Sequence, residues 1–179
     1  VMELLEGSTL REELRRLTRL EPARTIEIFR GVCAGVEAAH RRQIIHRDLK
    51  PENIFLARSE GFDKPRETVK VLDFAFETSS GVLVGTFAYL SPEQLRGESP
   101  DVLWDLWALS VVAYETLAGK LPFEAASTDE WRNAVLAGRF KPDSSAARQA
   151  FFAACYAQDR TKRPQSAADF FSRLETTLA

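Results

Sequence analysis

The spacing of apolar residues predicts a long buried helix in the first quarter of the chain. The apolar or half-polar positions recur every three or four residues, at Ile26, Phe29, Cys33, Val36 and His40. This spacing is typical of a helix with one buried stripe. Glu21-Pro22 opens it, because proline suits the first helical position.

A shorter charged helix is predicted before the long one. The turn "EGST" follows "VMELL", which looks like a strand entered midway. Thr9 and Glu12 have the T-x-x-E spacing of a capping box, and the helix that they open is expected to end near Arg19. In "REELRRLTR" the arginines are interleaved with acids and leucines, which predicts a solvated helix face.

Strand signals replace helix signals between residues 44 and 74. They are Ile44-Ile45, Ile54-Phe55-Leu56 and "TVKVLDF", with "ARSEGFDKPRE" as a hairpin-like loop. Residues 77–90, "ETSSGVLVGTFAYL", have no sustained period and predict a shaped loop.

The remainder of the chain predicts helices. Ser91 is a cap, Pro92 stands at the first helical position, and Gln94 lies three residues after the cap. The later helical segments are "WDLWALSVVAYETLA", "STDEWRNAVLAG", "SAARQAFFAACYAQ" and "SAADFFSRLETTLA". The predicted fold class is α+β, mainly helical, with a few short strands at one edge.

Composition narrows the function classes. With 179 residues and 45% hydrophobic content, the chain can bury one core, and its net charge of -2 gives no basic field for nucleic acid. Cys33 and Cys155 lie in Ala-rich helical surroundings, which predicts buried thiols in a reducing, cytoplasmic compartment. We expect no membrane segment, because no apolar run approaches the length of a bilayer. Val1 is not an initiator, so we expect a piece of a longer chain.

The octet "HRDLKPEN", residues 46–53, places several ionisable side chains between two apolar runs. Asp48 could accept a proton, Lys50 could neutralise a developing anion, and Asn53 offers an oxygen to a hard cation. Asp73 ends the apolar strand "VKVL", so the same sheet edge can hold it near Asn53. A lone acid or lysine in a surface loop is more often only part of an ion pair. The whole set suits phosphoryl transfer.

This octet, with Asp73-Phe74 at a strand end, resembles the catalytic loop and metal-binding turn of the eukaryotic-type protein kinases. It matches H-R-D-L-x-x-x-N without a gap, and the resemblance covers essentially the whole chain. It implies the C-terminal lobe of a serine/threonine kinase, in a bacterial style, with ATP and Mg²⁺ as cofactors and proteins as substrates. The implied parts are the hinge (1–8), the catalytic loop with flanking strands (44–56), the activation segment (73–93) and the helical subdomain (100–179).

The resemblance also implies roles for individual residues. Asp48 would orient the substrate hydroxyl, Lys50 would stabilise the transferring phosphoryl group, and Asn53 and Asp73 would hold magnesium. Thr86 would bond to Asp48 and Lys50. The implied ATP-binding residues are Met2, at the gatekeeper position, Glu3 and Leu5, against the adenine, Thr9, near the ribose, and Phe55, under the base.

A further group has implied regulatory or structural roles. Arg47 could receive an activation-loop phosphate. His46 begins the octet, and Phe74 belongs to the metal-binding turn. Glu93 would pair with Arg163, and Asp105 would anchor the catalytic loop.

Two departures from the family keep other functions open. Ala75 stands where the D-F-G motif has glycine, and its methyl group penalises positive φ by about 1 kcal/mol. The glycine-rich loop and V-A-I-K lysine of the N-terminal lobe are absent from the 179 residues, so we expect the isolated chain to be inactive. The alternatives are a pseudokinase or kinase-like scaffold and, ranked lower, a small-molecule kinase of the aminoglycoside type.

Overall fold

The computed structural model describes residues 6–59, 66–73 and 87–179. The predictions for Met2, Glu3, Leu5, Phe74, Ala75 and Thr86 therefore lie outside the described residues. Within the described ranges the chain is mainly helical and carries one small antiparallel sheet, as its sequence predicts.

Seven α-helices and three strands occur in these ranges. The strands are β1 (Gly7–Thr9), β2 (Ile54–Ser59) and β3 (Arg66–Val71). The helices are α1 (Leu10–Leu17), α2 (Pro22–His40), α3 (Pro92–Leu95), α4 (Val102–Ala118), α5 (Thr128–Leu136), α6 (Ala146–Cys155) and α7 (Ala167–Leu178).

The sheet has the order β1-β2-β3, and both pairings are antiparallel. The prediction of a turn at "EGST" was wrong, because Gly7–Thr9 pairs with β2 and brings Thr9 opposite Phe55. The strand predicted at Ile44-Ile45 was also wrong. The amide of Ile44 donates to the carbonyl of Ala39 at 3.0 Å, so these residues close the end of α2 and do not join the sheet.

The two N-terminal helices begin where the sequence predicts. The capping box is present, with the Glu12 amide donating to Thr9 Oγ1 and the Thr9 amide donating to Glu12 Oε2. The helix α1 ends at Leu17, two residues before Arg19, because Thr18 adopts a positive φ of 67°.

The buried face of α2 is wider than its sequence predicts. Ile28 and Val32 are buried together with the predicted positions Phe29, Cys33 and Val36, whereas Ile26 is only half buried. The reason is that α2 packs on three sides, against α4, α7 and β3.

The centre of the core is α4, in which every residue from Asp105 to Leu117 is buried. Trp107 stacks on Phe123 with a centroid distance of 5.5 Å. Both cysteines are buried, free thiols. In the described parts of the chain, no helix is long and apolar enough to cross a bilayer.

Close packing of α2 against β3 depends on Gly31. A Cβ atom at Gly31 would lie 2.6 Å from Val69 Cβ, whereas one at Gly35 would lie 3.4 Å from Val71 Cγ2, an ordinary contact. The guanidinium of Arg24 on α2 also binds both oxygens of Glu67 on β3, at 2.6 and 2.8 Å. The helix therefore fixes the position of the strand that leads to Asp73.

Gly31→Ala is expected to destabilise the chain although alanine favours helices. The added methyl group forces α2 and β3 apart, at a cost of about 1–3 kcal/mol in the free energy of unfolding, measured in urea. Gly35→Ala is the matched control, which should be neutral or stabilising by up to ~1 kcal/mol. Equal effects of the two substitutions would contradict this packing, as would a Gly31→Ala/Val69→Ala variant whose loss equals the sum of the single losses.

Candidate functional site

The charged octet leaves the end of α2 and enters β2 through a tight turn. Pro51–Asn53 form a single 3₁₀ turn, and the Asn53 amide donates to the Lys50 carbonyl at 3.0 Å. Leu49 and Asn53 are buried, while Asp48 and Lys50 are half buried. The loop therefore lies at the rim of the core with the side chains of Asp48 and Lys50 partly in water.

Asp105 on α4 holds the start of the loop. This carboxylate is 1% exposed. Its Oδ1 accepts from the Arg47 amide at 2.9 Å, and its Oδ2 accepts from the His46 amide at 2.8 Å. The same Oδ2 lies 2.7 Å from Nε2 of His40, at the end of α2. One carboxylate thus joins α4, α2 and the octet.

His46 connects the octet to the end of β3. Its Nε2 lies 2.8 Å from the Leu72 carbonyl oxygen, and its Nδ1 lies 3.3 Å from the Asp48 amide. Since the carbonyl can only accept and the amide can only donate, the ring carries its proton on Nε2. The buried imidazole therefore joins the loop that carries Asp48 to the residue before Asp73.

The carboxylate of Asp48 is held on one side only. Its Oδ2 accepts from Lys50 Nζ at 2.6 Å and lies 3.4 Å from Asn53 Nδ2, which also donates to the Asp48 carbonyl at 2.9 Å. Among the described residues, Oδ1 is buried and has no hydrogen-bond partner. A buried acceptor without a donor is costly in a folded chain, so such an atom calls for a functional explanation.

Asn53 and Asp73 are brought to the same end of the sheet. The Leu72 amide donates to the Asn53 carbonyl at 2.8 Å, and Asp73 follows directly with an exposed side chain. Because Asn53 Nδ2 points toward Asp48, its amide oxygen lies on the opposite side of the group. One carboxylate and one carboxamide oxygen are hard ligands, which fits a magnesium ion that also takes phosphate oxygens and water.

Two residues of the site have unfavourable backbone conformations. Arg47 has a φ of 69° and Asp73 a φ of 53°. Non-glycine residues in this region cost of order 1–3 kcal/mol each and persist only where surrounding contacts enforce them. Asp105 and the Leu72–Asn53 hydrogen bond provide those contacts.

The structure places the other predicted residues in two groups. Thr9 and Phe55 are cross-strand partners in β1 and β2, and Phe55 faces away from the buried Ile54 and Leu56. Glu93 and Arg163 form a buried ion pair, with Nη1 3.0 and 3.1 Å from the two carboxylate oxygens. Their functional roles stay predictions.

The Glu93 carboxyl is ionised in spite of its burial. Burial alone would raise the pKa of Glu93, but the hydrogen bond and the charge of Arg163 lower it below its ordinary value. Arg163 also donates to the Ala157 carbonyl and lies over the Trp107 ring. The pair therefore fixes α3 against the C-terminal helices.

Sequence reasoning missed several residues that contact the site. His40 was assigned to the apolar stripe of α2, yet it binds Asp105. The solvated face predicted for "REELRRLTR" was wrong at Arg11, which binds Glu52 and Glu115. No local pattern marks these contacts, because Arg11 and Glu115 are 104 positions apart.

Comparison with known proteins gives a consistent match. A family model described as the protein kinase domain matches residues 1–172. The serine/threonine-protein kinase PknL of Mycobacterium tuberculosis is 43% identical over 125 residues, which cover 69% of this chain and 31% of that protein. Pkn1 of Myxococcus xanthus is 42% identical over 132 residues (69% and 18%), and PknB of Mycolicibacterium smegmatis is 38% identical over 133 residues (69% and 20%). The chain thus spans less than a third of the length of these relatives.

Asp105→Asn is expected to destabilise the chain by about 3 kcal/mol. Each carboxylate oxygen of Asp105 accepts a hydrogen bond from a backbone amide. In asparagine one of these oxygens is replaced by an NH₂ group, which can only donate, so one of the two backbone amides loses its acceptor. Urea unfolding measures the loss. The control is Asp129→Asn in the exposed first turn of α5, which should cost at most ~1 kcal/mol; equal losses would contradict the anchoring role of Asp105.

The Glu93–Arg163 pair predicts a pH dependence of stability. Because the pKa of Glu93 is lower in the folded chain than its ordinary value of 4.5, its contribution is complete above pH 4.5 and disappears as the pH falls through the folded pKa. Glu93→Gln should therefore cost about 2 kcal/mol near pH 7 and progressively less in acid. Glu175→Gln is the control, because the Glu175 side chain is 44% exposed. A Glu93→Gln loss that stays constant down to pH 3 would refute this assignment.

Proposed function

Because the chain belongs to the protein kinase domain family, we propose that it is the large lobe of a serine/threonine protein kinase. In the full-length protein it would act in transfer of the γ-phosphoryl group of ATP to protein hydroxyls. The observation that carries this proposal is the half-satisfied carboxylate of Asp48, whose Oδ2 is held by Lys50 while Oδ1 has no donor among the residues that the structure describes.

In the proposed reaction, Oδ1 of Asp48 accepts a hydrogen bond from the serine or threonine hydroxyl and finally its proton. The hydroxyl oxygen forms the new bond to the γ-phosphorus, and the bond from that phosphorus to the bridging oxygen of ADP breaks. Lys50, 2.6 Å from the other carboxylate oxygen, supplies positive charge beside the transferring group. Positioning and charge neutralisation account for most of the catalysis in such transfers.

Asn53 and Asp73 are the proposed magnesium ligands. A bound magnesium ion would neutralise phosphate charge. The contribution of the protein is to hold the two ligand-bearing segments together, through the hydrogen bond from the Leu72 amide to the Asn53 carbonyl. Asp73 follows the end of β3 with a positive φ of 53° and an exposed side chain.

The proposed nucleotide edge is the β1–β2 side of the sheet. Phe55 would contact the base and Thr9 would lie near the ribose, since the two are cross-strand partners. Residues 1–8 would form the hinge to an upstream N-terminal lobe. A cytoplasmic location belongs to the same proposal, because ATP is the donor.

A protein acceptor is favoured by the surface beside the Phe87–Tyr89 turn. An open groove of about 620 Å³ is lined there by Phe87, Phe123 and Trp131, among others. Phe87 is 39% exposed. Such a groove has room for side chains of a polypeptide, whereas a compact small-molecule acceptor would leave it unused.

The second candidate is a pseudokinase or binding module, favoured by Ala75 in place of glycine. It predicts the same fold without phosphoryl transfer. The two candidates therefore differ in one measurable property.

The deciding experiment expresses the chain with its native upstream sequence and follows transfer of labelled γ-phosphate to itself or to a generic protein substrate with magnesium. We expect Asp48→Asn to lower kcat at least ~100-fold, because it removes the acceptor for the hydroxyl proton. Asp73→Ala should lower transfer and weaken the magnesium dependence of ATP binding, and the 179 residues alone should be inactive.

Asp129→Asn, far from the octet in sequence and exposed, is the matched control and should retain activity. Transfer that is equal in Asp48→Asn and wild type would overturn the catalytic assignment. A folded extended protein with no transfer would favour the binding module.

A further inference from the structure

We propose that Arg11 is a positioning residue, which fixes the substrate-side Phe87–Tyr89 turn relative to the catalytic octet. The inference rests on the proposed function, because it names what Arg11 does for the same reaction. Arg11 lies in the first turn of α1, only two residues after Thr9.

The guanidinium of Arg11 joins three segments that are distant in sequence. Its Nε donates to Glu52 Oε1 at 2.8 Å, in the 3₁₀ turn of the octet. Its Nη1 donates to Glu115 Oε1 at 2.6 Å, on α4. Its Nη2 donates to the Tyr89 hydroxyl at 2.5 Å, and that hydroxyl donates to Glu115 Oε2 at 2.7 Å. A planar guanidinium can satisfy these divergent acceptors together, which a lysine cannot.

The side chains of this cluster are largely shielded from water, which strengthens the hydrogen bonds and charge interactions between them. The side chains of Arg11 and Glu115 are 20% and 12% exposed, and Tyr89 is 6% exposed. Burial alone would lower the pKa of Arg11, but the hydrogen bond to Glu115 and the charges around it raise it above its ordinary value. Burial and the Glu115 charge also raise the pKa of Tyr89. Arg11 therefore stays charged and the Tyr89 hydroxyl keeps its proton at physiological pH.

The contacts of Arg11 join the Phe87–Tyr89 turn to the catalytic octet. Tyr89 ends the turn whose first two residues, Phe87 and Ala88, line the groove proposed for the protein substrate. Glu52 lies four residues after Asp48 and directly before Asn53. The same guanidinium therefore sets the distance between the wall of the groove and the carboxylate that would accept the proton.

A positioning role predicts a selective kinetic change in the extended protein. Arg11→Met should raise KM for the protein substrate about five- to thirtyfold and leave KM for ATP within about twofold. Tyr89→Phe should reproduce the effect, since it removes the hydroxyl and keeps the Arg11–Glu115 pair. Arg11→Lys should rescue it only in part. Arg30→Met is the control, because Arg30 forms an exposed ion pair with Glu175.

A second variant separates positioning from stability. Arg11→Met/Glu115→Leu replaces the buried pair with apolar groups and should recover most of the lost thermal stability. It leaves the Tyr89 hydroxyl without both partners, so KM for the protein substrate should stay raised. Recovery of stability and KM together, or equal increases in both KM values in Arg11→Met, would overturn the proposal.

The third measurement does not depend on catalysis. The Leu90 amide donates to the Phe87 carbonyl at 3.1 Å and reports on the turn. In the 179-residue chain, Arg11→Met should speed hydrogen exchange at Leu90 at least ~tenfold. It should leave unchanged the amide of Tyr156, which directly follows α6 and donates to the Phe152 carbonyl at 2.9 Å. Unchanged exchange at Leu90 would refute the positioning role even if transfer is observed, whereas absence of transfer with faster Leu90 exchange would refute only the proposed function.

Discussion

The site depends on one buried carboxylate. Asp105 accepts from the amides of His46 and Arg47 and lies against His40, so it joins the central helix α4, the end of α2 and the start of the octet. A carboxylate that is 1% exposed is stable only where such donors surround it. The buried carboxylate needs these donors, and it also constrains the loop, because the amides of two consecutive residues must both point toward it. The positive φ of Arg47 is the conformation that allows this.

The same helix holds the Phe87–Tyr89 turn. Glu115 follows Asp105 by ten residues, or about 15 Å along α4, and it receives Arg11 and Tyr89 much as Asp105 receives the octet. Two acids on one rigid buried helix thus fix two separate loops. The spacing of these two acids along α4 is set by helix geometry, and the Arg11 guanidinium adds the direct link between the Tyr89 turn and the octet through Glu52. This arrangement lets polar loops at the rim keep a defined spacing although each carries little apolar surface.

Local signals predicted much of the fold and fewer of the contacts. The capping boxes at Thr9 and Ser91, and the helix start at Pro22, follow from residues within four positions of each other, and the structure has all three. The octet was also recognisable, since its chemistry lies in one contiguous run. Ile44-Ile45 failed as a strand because two β-branched residues have the same local preference whether they pair in a sheet or close a helix. The prediction of a solvated face was wrong at Arg11 for a related reason, since the acceptors of its hydrogen bonds come from distant parts of the chain.

The strained residues show why the octet alone does not define the site. Arg47 has no local preference for positive φ and is held there by Asp105, outside its own segment. Asp73 tolerates positive φ better, and the residue before it is held by the hydrogen bond from the Leu72 amide to the Asn53 carbonyl. A chain that kept all eight residues of "HRDLKPEN" but lost Asp105, or lost the close approach of α2 to β3 at Gly31, would retain the motif without its geometry. Oδ1 of Asp48, which has no hydrogen-bond partner within residues 6–59, 66–73 and 87–179, is then the most informative atom of the site. Hydrogen bonds to Lys50, Asn53 and Asp105 hold the neighbouring atoms of the loop, and Oδ1 is the acceptor that the proposed reaction assigns to the substrate hydroxyl.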